Sequence, residues 1–91
     1  MDAAITRHAR ARMQKRAISA DALERLLEFG REAFDHHGHV VLYFDKTARR
    51  RLARAAPERK DLERIARCYA VIAPGGEVVT VGHRLRRVRR D

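Results

Sequence analysis

The sequence predicts an α+β fold in which two N-terminal helices pack on a small antiparallel sheet, with a basic helical insertion between strands. Three observations lead there. Apolar side chains recur at helical spacing near the start, β-forming residues cluster in three later runs, and the connections between them are short. At 91 residues the chain has room for one core. Fifteen of its apolar residues are alanines, which leaves enough volume for a small sheet-and-helix core and too little for a deep dinucleotide cleft.

Thr6 ahead of Arg7-His8-Ala9-Arg10-Ala11-Arg12-Met13 reads as a capped helix reaching about Arg16. Its apolar line is thin: Ala9 and Met13, four residues apart, with Ala17 continuing it. His8 and Arg12 form a second line beside the first, extended toward Lys15 and Arg16. Ser19 caps the next helix and Asp21 complements the dipole of its first turn. Leu23, Leu26 and Leu27 supply that helix's buried face, and Gly30 terminates it.

The period then changes. The turn-like Asp35-His36-His37-Gly38 precedes Val40-Val41-Leu42-Tyr43-Phe44, a run dense in β-formers. A helix is expected over about 47–56, with Ala48, Leu52 and Ala55 inward and the arginines on its other sides; Pro57 ends it. The stretch 61–67 has helical spacing in Leu62, Ile65 and Ala66, yet it runs straight into the strand-like Cys68-Tyr69-Ala70-Val71-Ile72. Pro74-Gly75-Gly76 is a turn signal, and Glu77-Val78-Val79-Thr80-Val81 should complete an antiparallel hairpin. Leu85 and Val88, three apart among arginines, fit either a short terminal helix or a surface arm. The expected organisation is a single domain over 1–83 and a basic tail over 84–91.

The formal charge of +9 is unevenly spread. Residues 1–18 sum to +4, 19–45 to −4, 46–54 to +5, 55–83 to zero and 84–91 to +4. Three basic blocks therefore surround a neutral-to-acidic frame. Such blocks are an electrostatic footprint for phosphate, and a bias of 18 Arg to 3 Lys suits bidentate phosphate contacts. The lone Cys68 allows no intramolecular disulfide, and no run of apolar residues is long enough to span a bilayer. With no signal-like opening, a cytoplasmic location away from membranes is expected.

Two constellations offer chemistry. His8, Arg12 and Arg16 recur on one helical face, where an imidazole and two guanidiniums could converge on an anion. Thr80, His83 and Arg84 close the last strand; strict alternation separates Thr80 from His83, but a bulge at Gly82 would bring them together. A histidine from each end of the chain, with arginine, forms an acid/base set for cleaving RNA through its own 2′-hydroxyl, without metal or cofactor. His36-His37-x-His39 matches no closed four-ligand pattern and reads as a polar strand entry, so no metal site is expected. Cys68 reads as a small core residue, and Tyr43, Phe44 and Tyr69 as core aromatics that could also stack on bases.

The opening Ile5-Thr6-Arg7-His8-Ala9-x-x-Arg12-Met13-x-x-Arg16-x-Ile18-Ser19, together with the closing Val78-Val79-Thr80-Val81, resembles the small bacterial family known as domain of unknown function 4258. That family looks related to the RelE and BrnT toxins of toxin–antitoxin modules. The resemblance implies two helices against an antiparallel sheet and metal-independent RNA cleavage. It carries His8, Arg12, Arg16 and Thr80 over as the shared set, with His83 and Arg84 following. The segment 46–61 and the tail are longer and more basic than the family pattern.

The leading expectation is therefore a RelE/BrnT-like ribonuclease acting on RNA or the ribosome. His8 and His83 would be the acid/base pair, and Arg12, Arg16 and Arg84 would hold the scissile phosphate. Lys46, Arg49, Arg50, Arg51 and Arg54, with Arg86, Arg87, Arg89 and Arg90 of the tail, would grip the flanking backbone. Two alternatives stand beside it: a non-catalytic nucleic-acid-binding or ribosome-associated module, and a basic module that meets an acidic antitoxin-like protein.

Overall fold

Local hydrogen bonds set the boundaries of the first elements. The computed structural model describes residues 4–35 and 37–84. Thr6 Oγ1 accepts from the Ala9 N–H at 3.1 Å and starts α1 (Arg7–Lys15). This helix closes on a left-handed residue, Ala17 at φ 54°. The Ile18 N–H donates to Met13 O at 2.8 Å and the Ala17 N–H to Gln14 O at 3.4 Å, a Schellman closure usually built on glycine. Ala17 thus leaves the apolar line it was expected to extend and is exposed, while Ile18 is turned into the core. Ser19 Oγ then accepts from the Ala22 N–H at 3.0 Å and caps α2 (Ala20–Phe29).

A strand that the sequence reading did not foresee follows at once: β1 (Arg31–Phe34). Its Arg-Glu-Ala-Phe composition hides it, because an edge strand needs little apolar content. It pairs antiparallel with β2 (Val40–Tyr43), Arg31 opposite Tyr43 and Phe34 opposite Val40. Asp35 holds the connecting turn: its Oδ1 accepts from the His37 N–H at 2.8 Å and the His39 N–H at 2.9 Å. Asp45 Oδ1 accepts from the Ala48 N–H at 2.8 Å and caps α3 (Lys46–Ala55). The ambiguous stretch resolves into a five-residue helix, α4 (Leu62–Ala66), that leads into β3 (Cys68–Ile72).

The last strand, β4 (Val78–His83), completes a four-stranded antiparallel sheet in the order β1-β2-β3-β4. Ile72 faces Val78 while Val71 faces Thr80, so Val79 is the extra residue of a bulge. The bulge expected at Gly82 is therefore upstream, and residues 80–83 pair regularly with 71–68. Residues 4–6 lie along the start of β4: the Thr6 N–H donates to Val78 O at 3.0 Å, and the Val78 N–H to Ala4 O at 2.8 Å.

Cross-strand register decides what faces what. Leu42, Ala70 and Val81 are direct partners and share one face with the helices, forming a continuous core with Ala9, Met13, Leu23, Leu26, Phe44 and Leu52. Burying each larger aliphatic side chain contributes about 1.5–3 kcal/mol, so this small cluster anchors all the helices. Tyr43, Tyr69 and Gly82 are partners on the opposite face. The Tyr69 ring lies over Gly82 so closely that a Cβ there would meet its Cε1 at 2.9 Å. Glycine at this position is what lets the ring lie flat on the strand.

Candidate nucleic-acid interface

Six of the carboxylates pair with a small set of arginines. Arg25 meets Asp21, Glu24 and Glu28, Arg59 bridges Asp21 and Asp61, Arg31 meets Asp45, and Arg67 meets Glu63. These pairs include none of the bases of α1, nor Arg16, Lys46, Arg49, Arg50, Arg51 or Arg54. Much of the basic charge therefore sits on two helices, and the fold decides where those helices point it.

One base from each, Arg16 and Arg49, reaches one end of the sheet, where β2 and β4 finish and β3 begins. His83 sits directly opposite Cys68, on the helix-bearing face. Both line a recess of about 200 Å³ with Ala17, Ile18, Ser19, Ala22, Asp61, Arg64 and Ile65. Burial, reinforced by the charges of Arg64, Arg16 and Arg67, holds the His83 imidazole below its ordinary pKa. It is consequently a neutral ring, set among three cations, near pH 7. Burial pushes the Cys68 thiol up to about 11, and its Sγ lies 3.8 Å from Arg64 O. A thiol so protonated is a wall of the recess rather than a nucleophile.

Arg84, one residue further on, projects to the other face. Its N–H donates to Arg67 O at 2.7 Å, and its Nη2 donates to Phe44 O at 3.0 Å. The guanidinium lies 5.0 Å from the centre of the Tyr43 ring, a cation–π contact that leaves Tyr43 only 3% exposed. Burial and the neighbouring Arg49 charge lower the Arg84 pKa. Among the described residues the Tyr43 hydroxyl and Arg84 Nε find no hydrogen-bond partner, so this corner is tightly packed but incompletely satisfied.

The expected site residues are thus divided. Arg16 and His83 come together, and Arg64 and Arg67 join them. Thr80 shares the opposite face with Gly82 and Arg84, because two regular strand residues separate it in phase from His83. His8 lies exposed near the start of α1, where its Nε2 accepts from Arg12 Nε at 3.3 Å. Its helix runs alongside β4 from Val78 toward His83, which puts His8 and His83 at opposite ends of that pair. Arg49 reaches the Arg84 corner, whereas Arg50, Arg51 and Arg54 are exposed further along α3. Arg86, Arg87, Arg89 and Arg90 lie outside the described residues.

Arg64 and Arg67 were missed because the stretch around them was ambiguous. The Pro74-Gly75-Gly76 turn held the clue, since folding a hairpin about it brings the residues just before β3 beside His83. Among the described residues no three His, Cys, Asp or Glu side chains gather as metal ligands, and no helix is long and apolar enough to cross a membrane. No curated protein and no solved structure matches the chain. A family model does match, over residues 5–82, and spans both the opening helix motif and the Val78-Val79-Thr80-Val81 strand. With that match covering most of its length, the chain belongs to the family described as domain of unknown function DUF4258.

Proposed function

We propose that this protein binds RNA, gripping the phosphate backbone with the arginines gathered at the His83 end of the sheet. The observation that supports it is that bases distant in sequence gather around one strand end: Arg16 after α1 with Arg64 and Arg67 around α4 on the His83 face, and Arg49 from α3 with Arg84 on the other. Packing like charges together opposes folding, so such a cluster is most economically explained by an anionic ligand that offsets the repulsion. The acidic α2 has its carboxylates engaged by Arg25 and Arg59, so they add little repulsion toward a polyanion.

Fluorescence anisotropy of a labelled single-stranded RNA over a salt series tests this. The logarithm of affinity should fall linearly with the logarithm of salt, at about 0.7 per phosphate neutralised. Arg16→Ala and Arg49→Ala should each weaken binding and make that slope shallower. A dissociation constant indifferent to salt, or to both substitutions, would refute the proposal.

Metal-independent cleavage of the RelE/BrnT kind is a second reading, favoured by the neutral His83 beside Arg16 and Arg64. A neutral imidazole can accept the proton of a ribose 2′-hydroxyl as its oxygen attacks the adjacent phosphorus, while arginines stabilise the charge that builds there. The 5′-oxygen leaves and takes its proton from water. The separation of His8 and Thr80 from His83 argues against the paired-histidine form of this reaction. Cleavage by the purified protein in excess EDTA, abolished by His83→Ala and retained by His8→Ala, is the expected result if this reading holds. An RNA left intact by the wild type, with or without ribosomes, removes it.

A further inference from the structure

The recess beside His83 has features that backbone gripping does not require. It is half-enclosed, with a volume of about 200 Å³, and its inner wall is apolar: Ile18, Ala22, Ile65 and the Cys68 thiol. An internal phosphodiester needs a groove open at both ends, since the chain must enter and leave. A recess with a closed apolar wall suits a group that terminates a chain.

Apart from one carboxylate, the polar groups that line the recess can donate. Arg64 and His83 line it, and the charges of Arg16 and Arg67 reach it. Arg64 makes one neutral contact, from Nη2 to Ala17 O at 3.3 Å, which leaves further N–H groups free to donate. The Ser19 oxygen accepts from the Ala22 N–H, so its own hydrogen also remains to be donated. Asp61 is the single carboxylate in the lining, and Arg59 holds both its oxygens at 2.9 Å. That clamp keeps the Asp61 carboxyl below the usual carboxylate range and offsets its charge.

We infer that this recess binds a phosphate monoester, the terminal phosphate of a nucleic-acid strand, through Arg64, His83 and Ser19 with Arg16 and Arg67 at its rim. Near neutral pH a phosphomonoester carries close to two negative charges and three terminal oxygens, against one charge and two oxygens for a diester. The recess offers donors for three oxygens and more cations than one diester charge calls for. The inference rests on the RNA reading for its ligand, though not for the pocket's preference for a dianion.

Two measurements separate these levels. The first compares one labelled RNA oligonucleotide carrying a 5′-phosphate, a 3′-phosphate or hydroxyls at both ends. At least one phosphorylated form should bind five-fold or more tightly than the hydroxyl form. Arg64→Ala and His83→Gln should erase that preference, whereas Arg50→Ala should weaken all three forms alike. Equal affinity for all three ends overturns the inference and leaves the RNA reading standing.

The second measurement titrates inorganic phosphate into the protein while its histidine ring resonances are followed by NMR. Saturable shifts of His83, unmatched by His8 and absent in Arg64→Ala, support the pocket even if no RNA binds. Shifts of His8 and His83 alike, linear in phosphate, would mean non-specific ion pairing and count against it.

Discussion

At the residue scale, Ala17 and His83 carry consequences that their side chains alone do not announce. Ala17 holds a left-handed conformation at φ 54°, which sets its Cβ against the backbone. Ala17→Gly should stabilise the protein by about 0.5–1 kcal/mol, the relief of strain less the added freedom of the unfolded chain, as read from a thermal melt. His83 acts through linkage. Its folded pKa lies below the ordinary value, so the unfolded chain binds the proton more readily. The stability it contributes is complete above about pH 6.5 and is lost as pH falls through the lowered folded value. The melting temperature should therefore drop on acidification from neutrality, and less so in His83→Gln. The sequence held one of these features in view and concealed the other. His83 stood out as a histidine at a strand end, whereas nothing in Ala17 distinguishes a left-handed alanine from a helical one.

At the element scale, capping chemistry was the most readable signal. Thr6, Ser19 and Gly30 bound their helices where side-chain oxygens and a terminating glycine predict. Asp45 was overlooked because it follows a strand, yet it caps α3 and receives Arg31 Nη1 at 3.1 Å. Asp45→Ala should lower stability by about 1 kcal/mol through loss of the cap, and Asp45→Asn should recover much of it, since an amide oxygen can also accept from Ala48. Urea midpoints for the two variants check the order. The edge strand β1 was illegible for a different reason. Its residues are half charged, Phe34 is 75% exposed, and only pairing with β2 makes it a strand at all. The candidate site was partly legible on the same grounds. Helical spacing grouped Arg16 with His8 and Arg12, whereas Arg16 caps the end of α1 beside His83; the face on which Thr80 falls depends on the Val79 bulge, and no residue type there marks it.

At the scale of the whole molecule, the charge blocks acquire positions that a linear sum cannot give. The acidic second helix lies on the helix-bearing side, while Arg16 after α1 and Arg49 of α3 flank the end of β4, one by His83 and one by Arg84. Tertiary contact, rather than any local pattern, brings them to the same strand end. The same architecture joins the segment 4–6 to Val78 across more than seventy residues of intervening chain, and α1 packs chiefly on β4. Closing so long a loop costs entropy that the shorter β1-β2 hairpin avoids, so the first helix should be among the last elements to dock. A chain cut after Gly76 should keep its β1-β2 amides protected from hydrogen exchange longer than those of α1, which should exchange at the rate of an unanchored peptide. In the growing polypeptide, then, the basic opening segment has no platform until the final strand has been synthesised. Docking of the first helix therefore waits on the synthesis of β4, the strand it packs against.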